Sequence, residues 1–250
     1  MGVDSGLPDF RGNSGFWRAY PAIARMGQSF SQMANPVWFD RDPTLAWAFY
    51  GHRLNLYRQT RPHDGFSRLL DKAHRLPGGC FVLTSNVDGQ FQKAGFDADR
   101  VEECHGSIHH LQCSRPCSDE IENADGTEVR VDLGRFRALP PLPECRRCGA
   151  VARPNILMFG DDRWLPERTQ SQTEALGEWL RGVILGKQRL VVVEIGAGLA
   201  IPTIRLRSEN HARRAGGQLI RINPRDEAVT SPEDMALPLG GAEGTAAILP

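Results

Sequence analysis

Four cysteines fall into two close pairs, Cys113-Ser114-Arg115-Pro116-Cys117 and Cys145-Arg146-Arg147-Cys148. Thiolates are soft ligands, and a short turn between paired cysteines brings two sulfurs to one point, so Cys113, Cys117, Cys145 and Cys148 together suit a single tetrahedral zinc. Four protein ligands leave no open position, which makes such a metal structural. The competing reading is four unrelated free thiols. Just ahead of the first pair lies Glu103-Cys104-His105-Gly106-Ser107. Histidine moves a proton near neutral pH, which makes His105 a candidate base, although a histidine before a glycine also serves to fill a turn.

These groups need a scaffold, and 250 residues suffice for one large domain carrying an inserted smaller one. Lys+Arg and Asp+Glu both number 30, so no net field draws the chain to nucleic acid or an anionic membrane. No apolar run is long enough to span a bilayer, and Met1-Gly2-Val3-Asp4-Ser5-Gly6 has no secretory character. The expectation is a cytoplasmic protein with no membrane and no direct nucleic-acid partner, its cysteines binding metal in a reducing compartment.

Three short apolar runs, Phe81 to Thr84, Val191 to Ile195 and Leu219 to Ile222, read as buried parallel strands of an open α/β sheet. Ligands collect beyond the carboxyl ends of such strands, where the chain supplies Ser85-Asn86-Val87-Asp88, Gly196-Ala197-Gly198 and Asn223-Pro224-Arg225. A helix is predicted between Asp42 and Pro62, with Asp42 as N-cap, Pro43 in the first turn and Pro62 as a stop. A second is predicted over Ser67 to Arg75. Residues 114–144 lack a strong period and read as the body of a small metal-held lobe. Gly196-Ala197-Gly198 alone is an incomplete dinucleotide fingerprint.

Taken in order, these segments resemble the sirtuins, a family of NAD-dependent protein-lysine deacylases. The resemblance rests on Gly6-Leu7-Pro8-Asp9-Phe10-Arg11, Thr84-Ser85-Asn86-Val87-Asp88, His105-Gly106, the cysteine pairs, Arg153-Pro154 with Phe159-Gly160-Asp161, Gly196-Ala197-Gly198 and Ile222-Asn223. It implies a Rossmann-like α/β sheet domain (1–106 and 154–250) with a helical lid over about 13–62 and a zinc-binding lobe at 107–153. Implied contacts to the co-substrate NAD run through Ser5, Gly6, Pro8, Asp9, Phe10 and Arg11, then Ser85, Asn86, Val87 and Asp88, then Gly196, Ala197, Gly198, Asn223, Pro224, Arg225 and Ala246. Ser85 stands where the family has Gln, and Ala197 and Gly198 stand where it has Thr and Ser. Asp161 replaces the commoner Glu.

The implied reaction has an acyl-lysine carbonyl attack the ribose C1′ as nicotinamide leaves. Asn86 holds the ribose, and His105 then activates a ribose hydroxyl so that the acyl group ends on ADP-ribose. Ile156, Phe159 and Gly160 are implied contacts for the acyl-lysine protein or peptide substrate. Within Tyr50-Gly51-His52-Arg53, residues three apart share a helix face, so a phenol and a guanidinium can meet one carboxylate. Family members that remove succinyl, malonyl or glutaryl groups carry Tyr-x-x-Arg here; the plain alternative is a core tyrosine beside a solvated arginine. The family opens with a strand ending in Gly-Ala-Gly, and this chain begins just after that point. The expectation is therefore that Met1 is an internal methionine and translation starts upstream. Rival functions are ADP-ribosyl transfer or NAD hydrolysis at the same C1′, and a non-catalytic NAD-binding module.

Overall fold

The computed structural model describes residues 1–9 and 12–250. Its first part is helical: α1 (Gly12–Ala19), α2 (Pro21–Arg25), α3 (Phe30–Met33), α4 (Val37–Arg41), α5 (Pro43–Gln59) and α6 (Asp64–His74). Helix α5 starts where the sequence demands. The Asp42 carboxylate accepts from the Leu45 amide at 3.0 Å, and Pro43, lacking an N–H, opens the first turn. The helix stops at Gln59 as Thr60 turns extended, two residues before Pro62. Leu45, Ala46, Trp47, Ala48, Phe49, Tyr50 and Leu54 are all buried, so α5 is enclosed on most sides and serves as the axis of the main core. Helix α6 begins earlier than Ser67 because His63 caps it, its Nδ1 accepting from the Gly65 amide at 3.0 Å.

The remaining elements are β1 (Val82–Thr84), α7 (Gln90–Lys93), β2 (Val101–Glu103), β3 (Gly106–Cys113), β4 (Glu122–Asn123), β5 (Val131–Asp132), β6 (Arg137–Ala138), β7 (Ala152–Ile156), α8 (Glu167–Leu185), β8 (Val191–Ile195), α9 (Thr203–Arg214), β9 (Gln218–Ile222), β10 (Met235–Leu237) and α10 (Gly241–Ile248). The three expected strands are present as β1, β8 and β9, and the fold is α/β with parallel, Rossmann-like pairing.

That parallel sheet is divided. Strand β1 pairs with β2, and β8, β9 and β10 pair with one another in the order β10-β9-β8. Among the described residues no ladder joins β1 to β8. The expectation of strands buried on all sides is corrected for β8, whose Val191 is 48% exposed: a strand without a neighbour on one edge has fewer groups to cover it. A third sheet, β4-β3-β7, is antiparallel and carries the cysteine lobe, with the small hairpin β5-β6 beside α5.

Candidate active site

The cysteine cluster is the simplest part to build. Cys113 ends β3, Cys117 follows within the next turn, and Cys145 and Cys148 flank a loop whose Cys145 amide donates to the Ala150 carbonyl. The antiparallel pairing of Cys113 with Ala152 folds the second pair back onto the first. All four sulfurs lie within 4.8 Å of one another, and the Cys113–Cys148 and Cys117–Cys145 separations are both 3.6 Å. Zinc–sulfur bonds of about 2.3 Å in a tetrahedron require sulfurs about 3.8 Å apart, so the cluster fits one structural zinc. A contact from the Ala150 backbone pulls the Cys148 thiol down, while burial pushes Cys113 and Cys117 up, so the geometry and not the titration carries the zinc assignment.

The second site is a cavity of about 1340 Å³. At one end it is lined by residues from several strand tips: Ser85, Asn86, Val87 and Asp88 after β1, His105 between β2 and β3, and Gly196 and Ala197 after β8. Pro8 and Asp9 of the front loop and Ile156 and Phe159 from the end of β7 and its following loop complete that end. Residues as distant in sequence as Pro8 and Ala197 thus meet because parallel strands place their carboxyl ends on one side of a sheet.

His105 is held rigidly. Its carbonyl accepts from the Leu157 amide at 3.0 Å, and Gly106 behind it has φ +76° with no room for a Cβ, which would stand 2.1 Å from the Asn155 carbonyl oxygen. Burial lowers the imidazole pKa, partly offset by a hydrogen bond to the Ser85 backbone, so the ring is neutral and available as a base at physiological pH. Asp88 is buried, which raises its pKa, while the Gln90 amide donates to Oδ1 and acts in the opposite direction. Asn86 is exposed toward the cavity, its amide donating to Thr84 Oγ1 at 3.0 Å.

Tyr50 and Arg53 of α5 also line this cavity, with Phe30 and Ala34. The reading of Arg53 as solvated is corrected: it is only 6% exposed, because Phe30, Phe49, Tyr50 and Tyr57 pack their rings around it. Its Nε donates to the Tyr57 hydroxyl at 3.0 Å, and its carbon Cζ lies 5.7 Å from the Tyr50 ring centre. The Tyr50 hydroxyl is buried and has no hydrogen-bond partner among the described residues, and burial pushes its pKa up. A buried phenol lacking a partner beside a guanidinium is a polar surface aimed at something that accepts hydrogen bonds.

The loop after β7 is fixed from below. Arg153 and Asp161 form an ion pair at 2.7 Å that is almost entirely enclosed, and Asp161 also accepts from the amides of Met158 and Arg163. The shorter Asp161 therefore reaches Arg153 without a glutamate's extra methylene. The Phe159 backbone is tied to Ala34 and Asn35, which joins the loop after β7 to the segment between α3 and α4.

Other sequence-predicted residues stand apart from the cavity lining. The Asn223 side chain is fully buried and spent on the fold: it donates to the Ala197 carbonyl at 2.8 Å and accepts from the amides of Arg225 and Asp226. Arg225 reaches Asp9 of the front loop at 3.3 Å. Ser5, through its hydroxyl, accepts from the His63 amide, and Gly6 ends a short turn with φ +88°. Gly160, Gly198 and Pro224 are not part of the cavity lining. Ala246 is exposed and is not part of the cavity lining, because α10 packs inward through Gly241, Gly244 and Thr245. Six residues, 197–202, separate Gly196 from α9, so β8 and α9 are joined by an open loop. Phe10 and Arg11 lie outside the described residues. Sequence reasoning missed Phe30, Ala34 and Tyr57, whose only signal is apolar spacing in the lid.

Comparison with known proteins agrees with this geometry. An NAD-dependent protein deacylase of Aquifex aeolicus is 29% identical over 240 residues, covering 94% of this chain and 84% of its own length. A protein of the same description from Aeropyrum pernix is 30% identical over 250 residues, covering 97% and 85%. Among solved structures, a Sir2 homologue in complex with NAD superposes with a TM-score of 0.68 at 25% identity, over 99% of this chain and 83% of that one. The Sir2 family model matches residues 1–191, three quarters of the sequence, and the chain belongs to the Sir2 family.

Proposed function

We propose that this protein is an NAD-dependent protein-lysine deacylase that moves the acyl group of an acyl-lysine side chain onto ADP-ribose. The observation that carries the reading is the convergence of a neutral, backbone-anchored His105 with Asn86 and Asp88 at the strand tips of one cavity. Bound NAD supplies a leaving group, nicotinamide, and ribose hydroxyls that accept the acyl group. Asn86 and Asp88 offer one amide and one buried carboxylate to orient it, and Pro8 and Asp9 of the front loop line the same cavity. His105 takes a proton at its imidazole nitrogen from a ribose hydroxyl. The Ile156 and Phe159 backbone and side chains line the path of the acyl-lysine and keep water out. Zinc remains outside this chemistry and holds the lobe formed within 107–153.

The acyl preference follows from Tyr50 and Arg53. A guanidinium and a phenol buried in the cavity wall favour an acyl chain ending in a carboxylate, such as succinyl-lysine, over acetyl-lysine. Incubation of the purified chain with NAD and a panel of acetyl, succinyl, malonyl and glutaryl peptides tests both parts. Release of free lysine and nicotinamide in equal amounts is expected, fastest for an acidic acyl group. ADP-ribosylated protein without acyl transfer would replace this reading with ADP-ribosyl transfer, and NAD binding without nicotinamide release would replace it with a binding module.

A further inference from the structure

Helix α5 presents two different faces to its surroundings. Gly51, Asn55 and Arg58 lie on one of them, since residues three and four apart share a helix face. That face is clamped to the cysteine lobe. A Cβ on Gly51 would collide with the Val129 side chain, Asn55 Nδ2 donates to the Val129 carbonyl at 2.9 Å, and Arg58 donates to the carbonyls of Thr127 and Ala124 at 2.7 and 2.6 Å. Tyr50, Arg53 and Tyr57 lie on the other face by the same spacing, and all three line the cavity. The rotation of the helix about its axis is therefore fixed from behind.

Arg53 is the charged member of the cavity face, and its Nε is committed. It donates to the Tyr57 hydroxyl at 3.0 Å, and both residues are nearly enclosed, at 6% and 4% exposure. The Tyr57 ring meets the guanidinium as well, its centre 5.5 Å from Cζ. A planar guanidinium offers a carboxylate two bidentate edges, one through Nε with one terminal nitrogen and one through both terminal nitrogens. The bond to Tyr57 closes the first edge. A carboxylate entering this cavity then meets the guanidinium end-on, with the buried Tyr50 hydroxyl nearby as a further donor.

Tyr57 is itself held by its backbone. Its carbonyl accepts from Gln90 Nε2 at 3.2 Å, and the Gln90 amide donates to Asp88 Oδ1 at 3.1 Å. The helix turn that aims Arg53 is thereby tied to the strand tip carrying Asn86 and Asp88, so the span from that tip to the guanidinium is set by rigid parts.

We propose that Tyr57 is a positioning residue for acyl choice: its hydroxyl holds the Arg53 guanidinium end-on, so that the site reads the length of an acidic acyl chain as well as its charge. This role rests on the preference for acidic acyl groups proposed for Tyr50 and Arg53, and adds the group that makes it selective for length. A phenylalanine at 57 would keep the ring against Arg53 and fill the same space, but it would release Nε and let the guanidinium turn. A donor fork held in one orientation suits one carboxylate position best, whereas one that turns suits several less well.

The test is Tyr57→Phe in the full chain, with kcat and KM measured separately on acetyl, malonyl, succinyl and glutaryl forms of one peptide, and KM for NAD measured alongside. The unmodified chain should favour one acidic length over the other two by about tenfold, the discrimination one methylene usually allows. In Tyr57→Phe, KM for that peptide should rise about tenfold with kcat within about twofold, and the three acidic peptides should converge in kcat/KM. The acetyl peptide should change far less. In an Arg53→Met background the same substitution should have no further effect on the acidic peptides, because the group it positions is gone. A Tyr57 that serves only packing would instead lower all four peptides by a common factor and do so in either background, which overturns the proposal. A rise in KM for NAD shared by every peptide also overturns it, by assigning the Arg53–Tyr57 pair to Asp88 and the cofactor. If the unmodified chain favours no acidic acyl group, the carboxylate preference falls and the role of Tyr57 with it. If it does favour one, and Tyr57→Phe keeps the same KM and length ranking, only the role of Tyr57 falls.

Discussion

The cysteine lobe and the cavity between the half-sheets solve the same problem, holding chain segments together without a continuous sheet, by opposite means. In the lobe, four sulfurs from two short turns converge within 4.8 Å, and the closing element is a metal whose ligands are written into local spacing. In the cavity, the lining comes from distant elements, and Arg207 of α9 and Arg168 of α8 tie those helices to Glu102 and Glu103 of β2, the partner of β1. A site closed by local chemistry fails as a unit when one ligand is lost. A site assembled by distant elements can lose one function while its scaffold stands.

The sharpest contrast is expected from Cys145→Ala. Structural zinc supplies apparent binding free energies of about 10–16 kcal/mol in small zinc-folded peptides, so losing one ligand should release the metal and unfold the lobe. Metal analysis and limited proteolysis across 107–153 would check this; a variant that retains one zinc and resists protease would remove the distinction between the two regions. His105→Ala comes next. It should lower deacylation by about 10²–10⁴-fold with the melting temperature unchanged, since the imidazole is only half-buried and its main bond is to a backbone group. Turnover at the unmodified rate would take the base away from His105.

Arg53→Met should act on one substrate class. A charge-assisted bond to a carboxylate contributes about 1.5–3 kcal/mol, so kcat/KM for a succinyl peptide should fall by about tenfold to a hundredfold while the acetyl peptide changes far less. An equal fall on both would assign the guanidinium to lid packing among Phe30, Phe49 and Tyr57. The smallest effect concerns pH. A base works in its neutral form, so activity is present above its pKa and is lost as pH falls through it. Burial lowers the His105 pKa below the usual 6.5, and the acid limb of kcat/KM should therefore lie below pH 6.5. A limb above that value would mean a carboxylate neighbour governs the site in the substrate complex.

Much of this was legible in one dimension, because the signals were local. Asp42 and Pro43 announced the start of α5, the apolar run from Val191 announced β8, and the cysteine gaps announced the metal site. His63 as a cap was not legible, since histidine is an uncommon N-cap and its effect depends on one ring nitrogen meeting Gly65. Arg53 read as one half of a carboxylate-binding pair, with a solvated arginine as the plain alternative, because charge normally implies solvent. Its burial depends on four aromatic rings, one of them 23 positions earlier.

By itself the sequence determined the element types, the donor set for zinc, and the identities of the polar groups at each strand tip, because capping, β-branching and ligand softness act over a few residues. Only the tertiary structure decided that Tyr50 and Arg53 face the same cavity as His105, that Asn223 is consumed in holding its own loop, and that β1 and β8 line one cavity with no ladder between them among the described residues. Those outcomes depend on which distant surfaces exclude water from one another, and burial of that kind has no local signature in a chain.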